Sequence, residues 1–188
     1  MSLILILHCG RRGAAVIDGD QIRAATGFYR WGMRIQIPKS LRVEHEELHD
    51  FLATVRHEPG ELGDKLRRVA RLLEPHFRKE EAFAMPPLGL LVRLARNEVN
   101  AAMAEVYPHT DWLKNNLAIL MAEHDAIGAA VEEMLHAARD AQRIDYIDLA
   151  EKLVNHLRME EEVMYPAAIL VGEYLRLLLG TNARIDAV

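Results

Sequence analysis

The chain has 188 residues, of which 51% are hydrophobic and 27% are charged, and its formal net charge is −5. This balance predicts one globular domain with a sizeable core. The negative net charge argues against a general nucleic-acid-binding protein, which would carry a basic surface. The single cysteine, Cys9, excludes an internal disulfide and a cysteine-rich zinc site. We identify no apolar run of the about 20 residues that span a bilayer and no secretory signal, so we expect a cytoplasmic protein without a membrane segment.

Residues 1–37 differ from the rest of the chain because five glycines interrupt them. We predict an irregular N-terminal arm there. Met33 is an alternative natural start, which would make residues 1–32 an upstream extension. The remaining boundaries that we predict are a helical domain over 38–180 and a C-terminal tail over 181–188.

From Pro38 onward, hydrophobic residues recur at helical spacing. Pro166 is expected to interrupt the last long helix, before a final apolar helix. The periodicity predicts an all-α, antiparallel up-and-down four-helix bundle with short extra helices. The predicted helical segments are 40–56, 62–84, 88–106, 111–138 and 145–165.

The chain also contains a repeat of about 80 residues. His76 and Glu80 are separated by three residues, and His156 and Glu160 repeat that spacing 80 positions later. Upstream, Glu44-His45 is matched by Glu123-His124 at an offset of 79. Two such helix pairs, packed face to face, would bring these polar side chains together in the centre of the bundle.

A metal explains this pattern better than a solvated surface does. Residues four apart share one face of a helix, and here that face is the apolar one. Burying Glu80 and Glu160 there costs several kcal/mol per unpaired charge unless cations compensate. Imidazole and carboxylate ligands together suit iron, zinc or manganese. The neighbouring Glu81 and Glu161 are expected to be solvated.

These motifs resemble those of the hemerythrin-like, or HHE cation-binding, family over about residues 38–170. The matching blocks are Glu44-His45-Glu46-Glu47-Leu48, His76-x-x-x-Glu80-Glu81 with Pro86, Glu123-His124, and His156-x-x-x-Glu160-Glu161 with Tyr165-Pro166. The resemblance implies a four-helix bundle holding two iron ions in a non-haem di-iron centre with an oxo or hydroxo bridge. It also implies that His45, His76, His124 and His156 are terminal ligands and that Glu80 and Glu160 are bridges. From the residues alone, zinc and manganese stay open.

Two features depart from the oxygen-carrying members of that family. Those members have His-x-x-x-His on the third helix and a bridging aspartate on the fourth. Here His124 is followed by Gly128, and the fourth helix carries Glu160 instead of aspartate. These departures argue against a simple oxygen-transport role.

His49 lies four residues after His45 and is therefore a further candidate ligand. We predict that one metal takes His45, His49 and His76 and the other takes His124 and His156, with both glutamates bridging. The open coordination position would then lie at the second metal, near Gly128. The alternative is that His49 turns outward as a boundary residue.

The leading functional hypothesis is a di-iron protein that binds or senses O2 or NO, without a separate catalytic constellation. One alternative is an enzyme that reduces NO or peroxide or supplies iron for cluster repair, and another is iron storage or buffering. A homodimer is compatible with the sequence. We expect chelation to lower the melting temperature, with the larger loss at acid pH, where histidine protonation opposes ligation.

Overall fold

The structure is a computed structural model that describes residues 35–185, apart from the side chains at positions 56 and 181–185. The predicted arm therefore lies outside the described residues, except for 35–37. The predicted tail overlaps the last helix up to residue 185, and 186–188 lie outside the described part.

The described residues are almost entirely helical and contain no strand. Two 3-10 turns lie at Val55–His57 and Ala101–Val106. Two π-helical segments lie at Glu80–Ala84 and Glu160–Met164. The α-helices are α1 Lys39–Thr54, α2 Gly60–Lys79, α3 Met85–Leu88, α4 Leu91–Ala95, α5 Tyr107–Asp140, α6 Ile144–Met159 and α7 Tyr165–Ile185.

The predicted fold class is confirmed, because four long helical runs account for the molecule. They are α1, α2 with its π segment, α5, and α6 continued through its π segment into α7. At one end of the bundle, Glu58 in the loop between α1 and α2 accepts hydrogen bonds from Arg143 (2.7 Å) and Tyr146 (2.8 Å). This contact fastens that loop to the turn between α5 and α6.

Three predictions about the helices were wrong, namely the single helix over 88–106, the start of the third long helix, and the interruption at Pro166. Segment 88–106 is not one helix, because a turn with Asn97 at a positive φ of 57° separates α4 from the following 3-10 turn. The third long helix begins at Tyr107, because Pro108 occupies its first turn, where a missing N–H costs nothing.

Pro166 does not interrupt the last helix, which is helical from Ile144 to Ile185. The proline follows directly on a π segment, in which backbone pairing shifts by one residue. A residue without an N–H is tolerated there because the shift already leaves one backbone group without a helical partner. Pro86 stands in the same place after the first π segment.

Two apolar clusters lie on either side of a polar layer in the bundle. One cluster contains Leu66, Leu73 and Leu153, all with no exposed surface. The other contains Leu120 and Tyr165, also fully buried. The histidines and glutamates of the repeat occupy the layer between these clusters, shielded from solvent at both ends.

The helical run Ile144–Gly180 includes a stretch of mean hydropathy 1.4, long and apolar enough by composition to cross a membrane. About a third of that stretch (33%) is buried in the molecule. A single run of this kind is weak support for a membrane segment, because core helices of globular proteins meet the same criterion.

Candidate metal centre

Four histidines and two glutamates occupy the polar layer, one histidine from each long helical run. The histidine exposures are between 0% and 3%, and both glutamates have none. Each glutamate is the first residue of a π segment and lies one turn beyond the histidine of its own helix. The six residues are His45 on α1, His76 on α2, His124 on α5, His156 on α6, Glu80 and Glu160.

The six side chains form two overlapping groups, each able to hold a metal. The first group is His45, His156, Glu80 and Glu160, and the second group is His76, His124, Glu80 and Glu160. Within each group, one ligand atom per residue lies within 4.8 Å of the others. Both glutamates belong to both groups, which is the arrangement expected of bridging carboxylates.

The carboxylate oxygens divide between the two groups. Glu160 places Oε1 2.8 Å from His156 Nε2 and Oε2 3.4 Å from His124 Nε2. Glu80 places Oε2 3.7 Å from His45 Nε2 and Oε1 3.5 Å from His76 Nε2. Each glutamate therefore presents one oxygen to each group, so the two cations would share both carboxylates.

Five buried polar atoms of the centre have no hydrogen-bond partner among the described residues. They are His45 Nε2, His156 Nε2, Glu80 Oε2 and both carboxylate oxygens of Glu160. An unpaired buried polar atom costs about 1–3 kcal/mol, and more when it is charged. A divalent cation in each group would engage these atoms, and imidazole nitrogen with carboxylate oxygen suits iron, zinc or manganese. The residues present therefore fit a pair of metal ions.

The outer nitrogen of each histidine is held by a second carboxylate. His124 donates its Nδ1–H to Glu161 at 2.8 Å, and His76 donates to Glu123 at 3.0 Å. Such a bond fixes the tautomer and directs Nε2 toward the centre. The other two bonds join His156 to Glu44 at 3.2 Å and His45 to Glu81 at 3.3 Å. We call Glu44, Glu81, Glu123 and Glu161 the outer carboxylates.

The expectation that Glu81 and Glu161 are merely solvated was wrong. Their side chains are 38% and 34% exposed and each contacts a histidine of the centre. Sequence reasoning missed these roles, although a signal existed. The outer carboxylates repeat at the same offsets as the ligands, Glu44 with Glu123 and Glu81 with Glu161.

The π segments place two adjacent glutamates in different roles. In each segment the first residue enters the centre and the second reaches a histidine of another helix. In the first segment, His109 of α5 donates its Nδ1–H to the Ala82 carbonyl at 2.8 Å. Burial lowers the pKa of His109, and this hydrogen bond offsets part of that effect. π-helical turns inside α-helices are frequent at functional sites.

The predicted division of ligands between the metals was wrong. The structure pairs His45 with His156 and His76 with His124, because these are the imidazoles that face each other across the bundle. In the second group the two Nε2 atoms are 2.8 Å apart. His49 joins neither buried group. Its side chain is 37% exposed, and its Nε2 lies 3.3 Å from the outer carboxylate Glu81.

Charge coupling shifts the pKa values of the centre. Burial disfavours the protonated form of His45, but the neighbouring carboxylates of Glu160 and Glu81 outweigh it and raise its pKa to about 9. The same balance raises the pKa of His76 to about 9. Burial would raise the pKa of Glu160, yet the neighbouring imidazoles of His156 and His45 lower it to about 2. Without metal, protons on His45 and His76 therefore offset the negative charge of Glu160.

Tyr165 makes the two groups unequal. It is fully buried, its hydroxyl donates to Glu80 Oε1 at 2.5 Å, and it lies 3.0 Å from His124 Nε2. Burial, together with the negative charges of Glu80 and Glu160, raises the pKa of its hydroxyl. The residue 80 positions earlier is Met85, so the hydroxyl has no counterpart in the other half of the repeat.

The comparison with protein families agrees with this geometry. The family model described as the hemerythrin HHE cation-binding domain matches residues 36–168, the part of the chain that carries all four ligand helices. No curated protein and no solved structure shows a significant match to the chain. The chain belongs to the hemerythrin HHE cation-binding domain family.

Proposed function

We propose that this protein binds two iron ions at the buried centre and that the centre binds or senses O2 or NO. The observation that carries the proposal is the sharing of Glu80 and Glu160 by two histidine pairs, with five buried polar atoms left for cations. The proposed ligands are His45, His76, His124 and His156, with the two glutamates as bridges. His49 is not among them. We place the protein in the cytoplasm, with a small diatomic ligand and no nucleic-acid partner.

Each proposed metal has four protein ligands, two imidazole nitrogens and two carboxylate oxygens. Six-coordinate iron would then keep positions for solvent or a small ligand. The centre is buried between two apolar clusters, which favours a small ligand such as a diatomic gas.

Metal analysis and optical spectra test this function directly. The full chain, purified without a histidine tag and reconstituted with Fe²⁺ under anaerobic conditions, should contain two irons. Exposure to O2 or NO should then produce a new absorption band. Less than one metal per chain would contradict the centre. Two irons with an unchanged spectrum would instead favour storage or buffering.

Tyr165 favours a second candidate, an enzyme that reduces peroxide or NO. Such reductions consume protons, and the Tyr165 hydroxyl is a buried donor beside the second group. Turnover of peroxide by the iron-loaded protein in the presence of an added reductant, well above that of free iron, would support this candidate. Replacement of Tyr165 by Phe should lower that turnover while two irons remain bound.

A further inference from the structure

A third cluster of potential ligands lies outside the buried centre. His49 Nε2 and His45 Nδ1 both lie 3.3 Å from the same oxygen of Glu81, Oε1. One ligand atom from each of the three side chains lies within 4.8 Å of the other two, as in the two buried groups. His49 and Glu81 are more than a third exposed, whereas His45 is 2% exposed. The cluster therefore extends from solvent to the edge of the centre.

His45 belongs to both this outer cluster and the first group. Its Nδ1 faces Glu81, and its Nε2 faces Glu80 and Glu160 at 3.7 Å. A single imidazole ring thus separates a cation at the surface from the buried ligands. A cation that took Glu81 Oε1 would also remove the hydrogen bond that holds the His45 ring in place.

The aromatic ring of Phe77 forms one apolar side of the cluster. The fully buried ring of Phe77 packs against His49 at a centroid distance of 5.1 Å and against His45 at 4.5 Å. A cation held by His49 and Glu81 would therefore find polar ligands toward His45 and none toward Phe77.

The other half of the repeat lacks this cluster. Glu161 holds His124 as Glu81 holds His45, but Gly128 stands where the repeat would place a second histidine. A Cβ atom at Gly128 would meet nothing within 4 Å, so the position has room for a side chain. At this position the two halves therefore differ by one imidazole.

We propose that His49 and Glu81 form an outer loading site, which holds an incoming divalent cation before the cation passes to the first group. This inference rests on the proposed metal centre. The cation binds His49 Nε2 and a Glu81 oxygen, and His45, released from Glu81, then guides it inward. The second group is filled from the first through the shared carboxylates.

The kinetics distinguish a loading site from a ligand. A residue on the path changes the rates of uptake and release by the same factor, so the dissociation constant stays the same. A ligand of the final complex changes the dissociation constant itself. Local charge and ligand capture raise on-rates by about 10-fold to 1,000-fold, so we expect removal of His49 to slow both rates at least about 10-fold.

The test compares His49→Gln with the unchanged chain, using Co²⁺ as a coloured probe. Uptake is followed by stopped-flow absorbance with the full chain after metal removal, its helical content checked by circular dichroism. Release from the loaded chain is followed with excess chelator. We expect both rates to fall at least about 10-fold, while two Co²⁺ per chain and the dissociation constant are retained. His136→Gln, on α5 twelve residues beyond His124, is the control and should change neither rate.

A second variant moves the site to the other half of the repeat. Gly128→His, introduced together with His49→Gln, places an imidazole on the side of Glu161 and should restore rapid uptake. Unchanged rates in His49→Gln would overturn the loading site. A weaker dissociation constant or fewer than two Co²⁺ in that variant would also overturn it, because His49 would then be a ligand. If the unchanged chain fails to bind two Co²⁺, the proposed metal centre fails instead.

Discussion

Four outer carboxylates hold the four histidines of the centre, and each joins two different helical runs. Glu161 has one described partner, His124, and their distance of 2.8 Å is the shortest of the four. Its neighbour Glu162 is exposed and has no described contact with the centre. Substitutions at Glu161 and at Glu162 therefore distinguish the effect of orienting His124 from the effect of removing a nearby negative charge.

We predict that Glu161→Gln weakens metal binding by about 10-fold to 100-fold, as removal of an orienting partner does in other metal sites. Glu162→Gln removes the same charge from the next residue and should leave the dissociation constant within about twofold. Titration of both variants with Zn²⁺ in competition with a chelator measures the effect. Equal dissociation constants for the two variants would contradict the orienting role.

Tyr165 yields a second prediction at this scale. Tyr165→Phe removes a buried hydrogen bond to the Glu80 carboxylate, worth about 1.5–3 kcal/mol. The loss should be largest in the metal-free protein, because a bound cation engages Glu80 in place of the hydroxyl. Urea unfolding of the metal-free and zinc-loaded forms measures the difference. Tyr174→Phe, at a residue that is 42% exposed, is the control and should stay within about 0.5 kcal/mol.

At the scale of elements, α5 and α7 pack in close contact where Gly172 faces Thr110. A Cβ atom at Gly172 would lie 2.7 Å from the Thr110 Cβ, which is closer than real side chains allow. Thr110 is 4% exposed and bonded to the Tyr107 carbonyl, so it has little freedom to move. The glycine thus allows the last helix to lie against α5.

We predict that Gly172→Ala destabilises the fold by about 1–2 kcal/mol, because overpacking outweighs the helix propensity that alanine adds. Gly128→Ala is the matched control on α5, where a Cβ meets nothing within 4 Å. It should stabilise the fold by about 0.5–1 kcal/mol. Chemical unfolding of both variants gives the two free energies, and two values of the same sign would contradict this account.

The sequence was sufficient to predict the four-helix fold. It was also sufficient to predict that the repeated motifs meet in one layer, because i,i+4 spacing on an apolar stripe fixes which way each side chain points. It did not predict which histidines pair, because that depends on which helices are adjacent and on their relative rotation. It also missed the π segments. The residues of Glu80–Ala84 and Glu160–Met164 are of types that are equally common in α-helices, so their composition does not reveal the π-helical turn. His49 lies on the same face as His45, yet its side chain is 37% exposed and its Nε2 contacts Glu81 at 3.3 Å.

At the scale of the whole molecule, metal and protons compete for the same buried imidazoles. The pKa values of His45 and His76, raised to about 9, mean that these groups are protonated in the metal-free fold at neutral pH. A raised histidine pKa stabilises the metal-free fold fully below about 6.5, and this stabilisation is lost as pH rises through about 9. Because metal displaces these protons, apparent metal affinity rises over the same interval.

We therefore predict that chelation lowers the melting temperature more at pH 9 than at pH 6.5, which reverses the direction expected from sequence. Melting temperatures of zinc-loaded and metal-free protein across this range measure the difference. Calorimetric titrations at pH 7 in buffers of different ionisation enthalpy should also show proton release on metal binding. A melting difference that shrinks as pH rises would contradict the pKa assignments.

The histidine–glutamate bonds form a closed circuit around the molecule. His45 reaches the π segment after α2, His76 reaches α5, His124 reaches the π segment after α6, and His156 returns to α1. One link lies inside each half of the chain, and the other two join the two halves. A peptide with only one half has every kind of group the circuit needs but cannot close it alone. Two copies of one half, related by a true two-fold axis, would close it. The present chain therefore has the form of a two-fold dimer whose two halves are covalently joined in one polypeptide.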